Sequence, residues 1–194
     1  MKLLDVERQD GRPVFKFMDL RQLSMSDIYF SEEQNIGRFL QNAKFLEKLH
    51  LSIIGGLSLV GILSTGACID TLKVIDLTVP LYQYPDPPLA GLCEELEAMA
   101  GHNTLEVLSL EVLVVSHHST EDSIGSTIQK VENILVKPGW SALRQVSFKL
   151  SVRRWGHDSE AELAEALQSL PDRYLIHLPK LESVAFNYSA LYLA

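Results

Sequence analysis

Residues 143–153, which read LRQVSFKLSVR, alternate between apolar and polar side chains after the opening leucine. Val146 and Phe148 fall on one side of this alternation, and Ser147 and Lys149 fall on the other. Successive side chains of a β-strand point to opposite faces of the sheet, so the pattern predicts a strand with one buried face and one wet face. The stretch therefore indicates a sheet whose core lies on one side.

The opening of this stretch, apolar-x-x-apolar-x-apolar, recurs along the chain. In order, the copies are FKFMDL from Phe15, LEKLHL from Leu46, LKVIDL from Leu72, LEVLSL from Leu105, LRQVSF from Leu143 and LESVAF from Leu181. A short pattern that returns at intervals of tens of residues is typical of a repeat architecture. The intervals are longer and less regular than in tight leucine-rich repeats, so we expect insertions between the strands.

Helical patterns lie between the predicted strands. Ser31 and Gln34 match a capping box that opens a helix to about residue 45. Further helices are predicted from about residue 89 to 100, from 122 to 135 and from 158 to 170, where Pro171 should end the last one. A shorter helix is predicted at about residues 57–63, between glycines.

A strand, a helix and a second parallel strand form a right-handed crossover. Repeated in one direction, this unit builds a curved array with strands inside and helices outside. The predicted fold class is therefore α/β: a leucine-rich-repeat-like curved solenoid of about six repeats, which occupies residues 1–194 as a single array. The two ends show no polar cap, so we expect a fragment of a longer array, a truncated gene product, or a chain whose ends pack on another molecule.

Composition narrows the classes of function. The chain has 194 residues and a formal net charge of −8, and an acidic chain repels nucleic-acid backbones. Its two cysteines, Cys68 and Cys93, are too few for a disulfide-stapled secreted domain, which favours a cytoplasmic or nuclear protein. The most apolar stretch, residues 51–68, is interrupted by glycines and serines, so no membrane span is predicted.

The residue patterns of catalytic and metal sites are weak in this chain. His117 and His118 are adjacent, and neighbouring side chains on a strand point apart, so we predict no metal site. His157, Asp158 and Ser159 are consecutive at a predicted helix start, where Asp and Ser serve as caps rather than as parts of a catalytic triad. No catalytic residue and no cofactor is predicted, and a small-molecule ligand is not expected.

The acidic cluster on the second predicted helix has a simple interpretation. Glu94, Glu95 and Glu97 are assigned to the polar side of the helix, away from Leu92 and Leu96. Such a cluster is typical of a solvated face, and we do not interpret it as a pair of acid and base catalysts.

The wet side of the predicted strands is the candidate binding surface, and its ligand is predicted to be a protein. A surface with both signs of charge suits a protein partner better than a nucleic acid or an apolar ligand. The candidate binding residues are Asp19, Lys48, His50, Asp76, Ser109, Glu111, Gln145, Ser147 and Lys149.

The motifs LEKLHL, LKVIDL and LEVLSL resemble those of irregular leucine-rich-repeat proteins, especially the fungal proteins in which such repeats follow an F-box. The resemblance covers about residues 15–188. It implies the recognition half of a ubiquitin-ligase adaptor, since no F-box pattern precedes the strands. The asparagine or cysteine that usually follows each strand of these repeats is absent here.

Two alternatives remain open from the sequence. An α/β enzyme domain with an unrecognised active site would bind its ligand beyond the strand ends, at a switch in strand order. A structural or decayed repeat protein would have no activity of its own.

Overall fold

The computed structural model describes residues 19–28, 33–53, 59–81, 91–114, 121–153 and 160–193. Within these ranges it contains six strands, four α-helices and one short 3-10 helix, Leu178–Lys180. The strands are β1 (Gln22–Ile28), β2 (Lys48–Ile53), β3 (Val74–Leu81), β4 (Val107–Val114), β5 (Gln145–Arg153) and β6 (Ala185–Leu193). The helices are α1 (Glu33–Asn42), α2 (Leu92–Met99), α3 (Glu121–Leu135) and α4 (Glu160–Tyr174).

The six strands form one parallel sheet whose spatial order, β1-β2-β3-β4-β5-β6, is the order of the sequence. Parallel neighbours need a crossover, and helices α1, α2, α3 and α4 lie in four of the five connections, whereas the described part of the β2–β3 connection is formed by turns. The predicted α/β class and the predicted parallel sheet are therefore confirmed.

The junctions between neighbouring strands repeat one backbone contact. The carbonyl of Glu47, just before β2, accepts hydrogen bonds from the N–H groups of Lys73 and Val74 at 2.9 and 3.0 Å. Carbonyls in the corresponding place before three other strands accept two N–H groups from the next strand in the same way: Arg21, Lys73 and Glu106. The same register is thus set at the start of successive strands.

One face of the sheet forms the core. Leu49, Ile75, Leu108 and Val146 lie side by side on β2 to β5, and each is at most 1% exposed. The buried side chains of α1, α2 and α3 belong to the same apolar cluster, and α3 packs against both α2 and α4. Burying each large apolar side chain contributes about 1.5–3 kcal/mol, so the helical layer stabilises this face. The prediction of one buried and one wetter face holds.

The first strand differs from its prediction. Asp19 and Leu20 precede β1, which begins at Gln22 and pairs with β2 through Gln22 and Lys48. The segment equivalent to LEKLHL is therefore LRQLSM, from Leu20 to Met25. Both windows satisfy the same six-residue pattern and share Leu20, so the pattern could not choose between them. Residues 15–18 of the predicted strand lie outside the described residues.

The last predicted motif is displaced by two residues. Val146 of LRQVSF pairs with Phe186, so Phe186 takes the fourth place of the pattern and not the sixth. A shift of two residues keeps every side chain on its predicted face. In the part of residues 57–63 that is described, residues 60–62 form turns and not the predicted helix.

Helix α4 does not end at Pro171 as predicted, but continues to Tyr174. Proline has no N–H to donate to the carbonyl four residues earlier, which is that of Leu167. The hydroxyl of Tyr188 on β6 donates to this carbonyl instead, at 2.6 Å. A tertiary contact thus supplies the hydrogen bond that the helix lacks.

Candidate functional site

The face of the sheet opposite the core, which we call the open face, carries aligned polar rows. His50, Asp76, Ser109, Ser147 and Asn187 occupy equivalent places on β2 to β6. One step further along, Thr78, Glu111, Lys149 and Ser189 form a second row. Neighbouring strands lie about 4.8 Å apart, so each row brings together groups that are distant in sequence.

A cavity of about 330 Å³ opens over β3 to β6 on this face. Five of the predicted binding residues line it: Asp76, Ser109, Glu111, Ser147 and Lys149. Asn187 and Ser189 of β6 also line it and were missed by sequence reasoning. The alternation of Asn187 and Ser189 with Phe186 and Tyr188 was the signal that could have found them.

The other four predicted residues lie outside the cavity. Lys48 and Gln145 are at the starts of β2 and β5, where Gln145 Nε2 donates to Ser147 Oγ at 3.4 Å. His50 is on β2, beside Asp76. Asp19 is exposed and precedes β1, so it is not a residue of the strand face. It was included because the first strand was predicted to begin at Phe15, and its role in binding stays a prediction.

An ion pair crosses from β5 to β4 within the cavity. Lys149 Nζ lies 2.8 Å from Glu111 Oε1, and Ser151 Oγ donates to the same oxygen at 2.8 Å. Partial burial acts to raise the pKa of the Glu111 carboxyl, but the hydrogen bonds from Lys149 and Ser151 outweigh it and lower this pKa below its ordinary value. Glu111 and Lys149 thus pair with one another on the partly exposed open face.

A second polar contact joins β2 to β3 at the edge of the cavity. His50 Nδ1 lies 3.0 Å from Asp76 Oδ2. The Asp76 side chain nevertheless keeps 46% of its surface exposed. A ligand in the cavity can therefore reach this carboxylate.

Beyond these polar rows, the open face becomes apolar. Leu113, Ser151 and Leu191 are aligned on β4, β5 and β6. Leu191 is 46% exposed, whereas Ser151 between the two leucines is buried. The face therefore combines a polar floor with exposed apolar surface nearby, a combination common where proteins bind one another.

Two buried carboxylates accept hydrogen bonds from backbone N–H groups and are not available to a ligand. Glu95 is 2% exposed and accepts the N–H groups of Gly61, Leu63 and Ser64. Its assignment to a solvated face was wrong, because Glu95 lies three residues after Leu92 on the buried side of α2. Glu132 on α3 is 1% exposed and accepts the N–H groups of two residues, His177 and Leu178.

Three further features bear on function: metal ligands, membrane-spanning helices and cysteines. In the described ranges, no group of three or more His, Cys, Asp or Glu side chains is arranged to hold a metal ion. No helix in the same ranges is both long and apolar enough to cross a membrane. Cys68 is buried and Cys93 half-buried, and burial raises the pKa of both thiols, which makes them poor nucleophiles.

Comparisons with known proteins add no assignment to this site. No family model, curated protein or solved structure matches the chain.

Proposed function

We propose that this chain is a protein-recognition module, a leucine-rich-repeat-like array whose open face binds a protein partner. The observation that carries the proposal is the cavity over β3 to β6. Its lining combines hydroxyl, amide and charged groups from four neighbouring strands. A partner that crosses the strands would contact all four at once.

The array part of the proposal is supported by the order of the sheet and by its junctions. Each strand pairs with the strand before it in sequence, and the two-donor contact at Glu47 recurs at Arg21, Lys73 and Glu106. Both features are those of a structure built by repetition of one unit. The resemblance of the strand motifs to fungal F-box and leucine-rich-repeat proteins extends the proposal to substrate recognition in a cytoplasmic or nuclear ubiquitin-ligase adaptor.

The chemistry of the open face favours a protein over other partners. A phosphate backbone would need several available cations, but Lys149 in the cavity is held by Glu111. An enzyme of the doubly wound type would bind its ligand where the strand order reverses, and the order of the described strands runs in one direction throughout. A mixed polar and apolar surface suits a protein interface.

The test is to fill the cavity without disturbing the core. Ser147→Arg places a long side chain in the cavity, whereas Asn133→Arg adds the same side chain to an exposed position on α3. We expect a partner captured from native extract by the wild-type chain to be captured by Asn133→Arg and lost by Ser147→Arg. Label-free mass spectrometry of the captured proteins and circular-dichroism melts of the three chains provide the measurement.

Two outcomes would contradict the proposal. A partner retained equally by Ser147→Arg would place recognition on another surface. Empty captures by all three folded chains would favour the alternative of a structural or decayed repeat protein.

A further inference from the structure

We infer that the cavity binds an arginine side chain in a basic segment of the protein partner, with Asp76 as the anchoring carboxylate. This inference rests on the proposed function, and it adds the chemistry of the group that is recognised.

The charges of the cavity favour a cationic ligand. Its described lining contains the carboxylates of Asp76 and Glu111 and the ammonium group of Lys149. Glu111 and Lys149 neutralise each other at 2.8 Å. The remaining carboxylate, Asp76, contacts His50 Nδ1 through Oδ2 but keeps 46% of its side chain exposed at the edge of the cavity. The chain as a whole carries a formal charge of −8, so both the local and the overall field attract cations.

A row of hydrogen-bond acceptors extends from Asp76 across the sheet. Asp76 is followed in its row by Ser109, Ser147 and Asn187, one on each successive strand. These hydroxyl and amide groups can all accept hydrogen bonds. Acceptors therefore lie in line from the exposed carboxylate across the cavity floor.

An arginine side chain fits such a row better than a lysine side chain does. A guanidinium group is planar and has five N–H donors that point in different directions, so it can bind a carboxylate and neighbouring hydroxyls together. An ammonium group is a compact charge with stronger hydration, and it gains less from spread acceptors. An anionic group would meet Asp76 and Glu111 and is disfavoured.

The experiment uses the full chain labelled with ¹⁵N and four short glycine–serine peptides. The peptides carry two central residues that are arginine, lysine, glutamate or citrulline, which has the shape of arginine without its charge. We expect the arginine peptide to shift the amide signals of Ser109, Ser147 and Asn187 in a saturable manner. The lysine peptide should bind more weakly, and the glutamate and citrulline peptides should leave these signals unchanged.

Variants of the chain identify the anchor. Asp76→Asn should weaken binding of the arginine peptide by about tenfold or more, since a hydrogen bond to a charged group contributes about 1.5–3 kcal/mol. Glu106→Gln removes a carboxylate before β4, outside the cavity, and should leave the affinity unchanged. Equal weakening by the two variants would overturn the inference, because it would reduce the effect to overall charge.

The peptide results separate the two proposals. If the citrulline or glutamate peptide shifts the same amides as strongly as the arginine peptide, the cavity still binds protein segments and only the arginine inference is overturned. If no peptide shifts the amides of the cavity, both the inference and the proposed binding role of the cavity are overturned.

Discussion

The hydroxyl of Tyr188 on the last strand donates a hydrogen bond to the carbonyl of Leu167 in the last helix, at 2.6 Å. That carbonyl is the one that Pro171 cannot serve, because proline has no N–H. Leu167 is itself buried, so water cannot easily replace the missing donor. The Tyr188 side chain of β6 thus supplies the hydrogen bond that the backbone of α4 lacks, and this contact fixes how the strand and the helix pack.

The contribution of the Tyr188 hydroxyl to stability should depend on the presence of Pro171. Tyr188→Phe leaves a buried carbonyl without its donor and should lower the free energy of unfolding by about 1–3 kcal/mol. In a Pro171→Ala background the helix regains its own N–H donor, so the same substitution should cost less than about 1 kcal/mol. Urea unfolding of the four chains of this double-mutant cycle measures both values. An equal cost in both backgrounds would show that Tyr188 acts through packing alone.

The same tyrosine should make stability sensitive to alkaline pH. Burial raises the pKa of the Tyr188 phenol above its ordinary value. The raised folded-state pKa means that its contribution to stability is fully present below about pH 10, the pKa in the unfolded chain, and is lost as pH rises toward the folded-state pKa. We expect the loss of unfolding free energy between about pH 8 and pH 11 to be smaller in Tyr188→Phe than in the wild type. Parallel losses would refute this role of Tyr188.

A carboxylate on the core face should unfold the sheet, whereas one on the open face should not. Leu108 is 0% exposed, so Leu108→Asp buries an unpaired charge and should cost more than about 4 kcal/mol, enough to remove most of the stability of a domain. Ser147→Asp, on the neighbouring strand and facing the other way, should change stability by no more than about 1 kcal/mol. Thermal melts followed by circular dichroism test the pair. A folded Leu108→Asp chain would show that the assignment of faces is wrong.

The buried carboxylate of Glu95 should matter far more than its exposed neighbour. Glu95→Ala leaves the N–H groups of Gly61, Leu63 and Ser64 without their acceptor and should cost at least about 3 kcal/mol. Glu94→Ala changes an exposed position of the same helix and should stay within about 0.5 kcal/mol. Denaturant unfolding of both variants gives the comparison, and similar costs would contradict the structural role of Glu95.

Much of the fold followed from local pattern. The alternation after Leu72 and Leu143 predicted β3 and β5 and assigned their side chains to the correct faces, because strand periodicity is a property of neighbouring residues. What failed depended on distant contacts. In the sequence, Pro171 indicates the end of a helix, but in the structure Tyr188 donates the missing hydrogen bond and the helix continues. Glu95 was assigned to a solvated face, but its carboxylate accepts N–H groups from the backbone of residues 61–64 and is buried.

For the candidate site, too, the sequence predicted which face each residue lies on but not which residues lie together. Alternation identified Asp76, Ser109 and Lys149 as residues of the open face, but not that they share a cavity. That requires the register between strands, which is set by backbone contacts such as those of Glu47 and Lys73. It also requires the contribution of β6, whose Asn187 and Ser189 were assigned to no surface.

The sequential order of the sheet determines how a disturbance spreads through the molecule. Among the described strands, each exchanges hydrogen bonds with the strands immediately before and after it in the chain and with no other. The strands are therefore coupled through their nearest neighbours. A local opening of β1 affects β6 through the strands that lie between them. β1 and β6, each with one neighbour among the described strands, should open most often in the native state. Amide hydrogen exchange should accordingly be slowest in β3 and β4 and quicken toward both ends of the sheet.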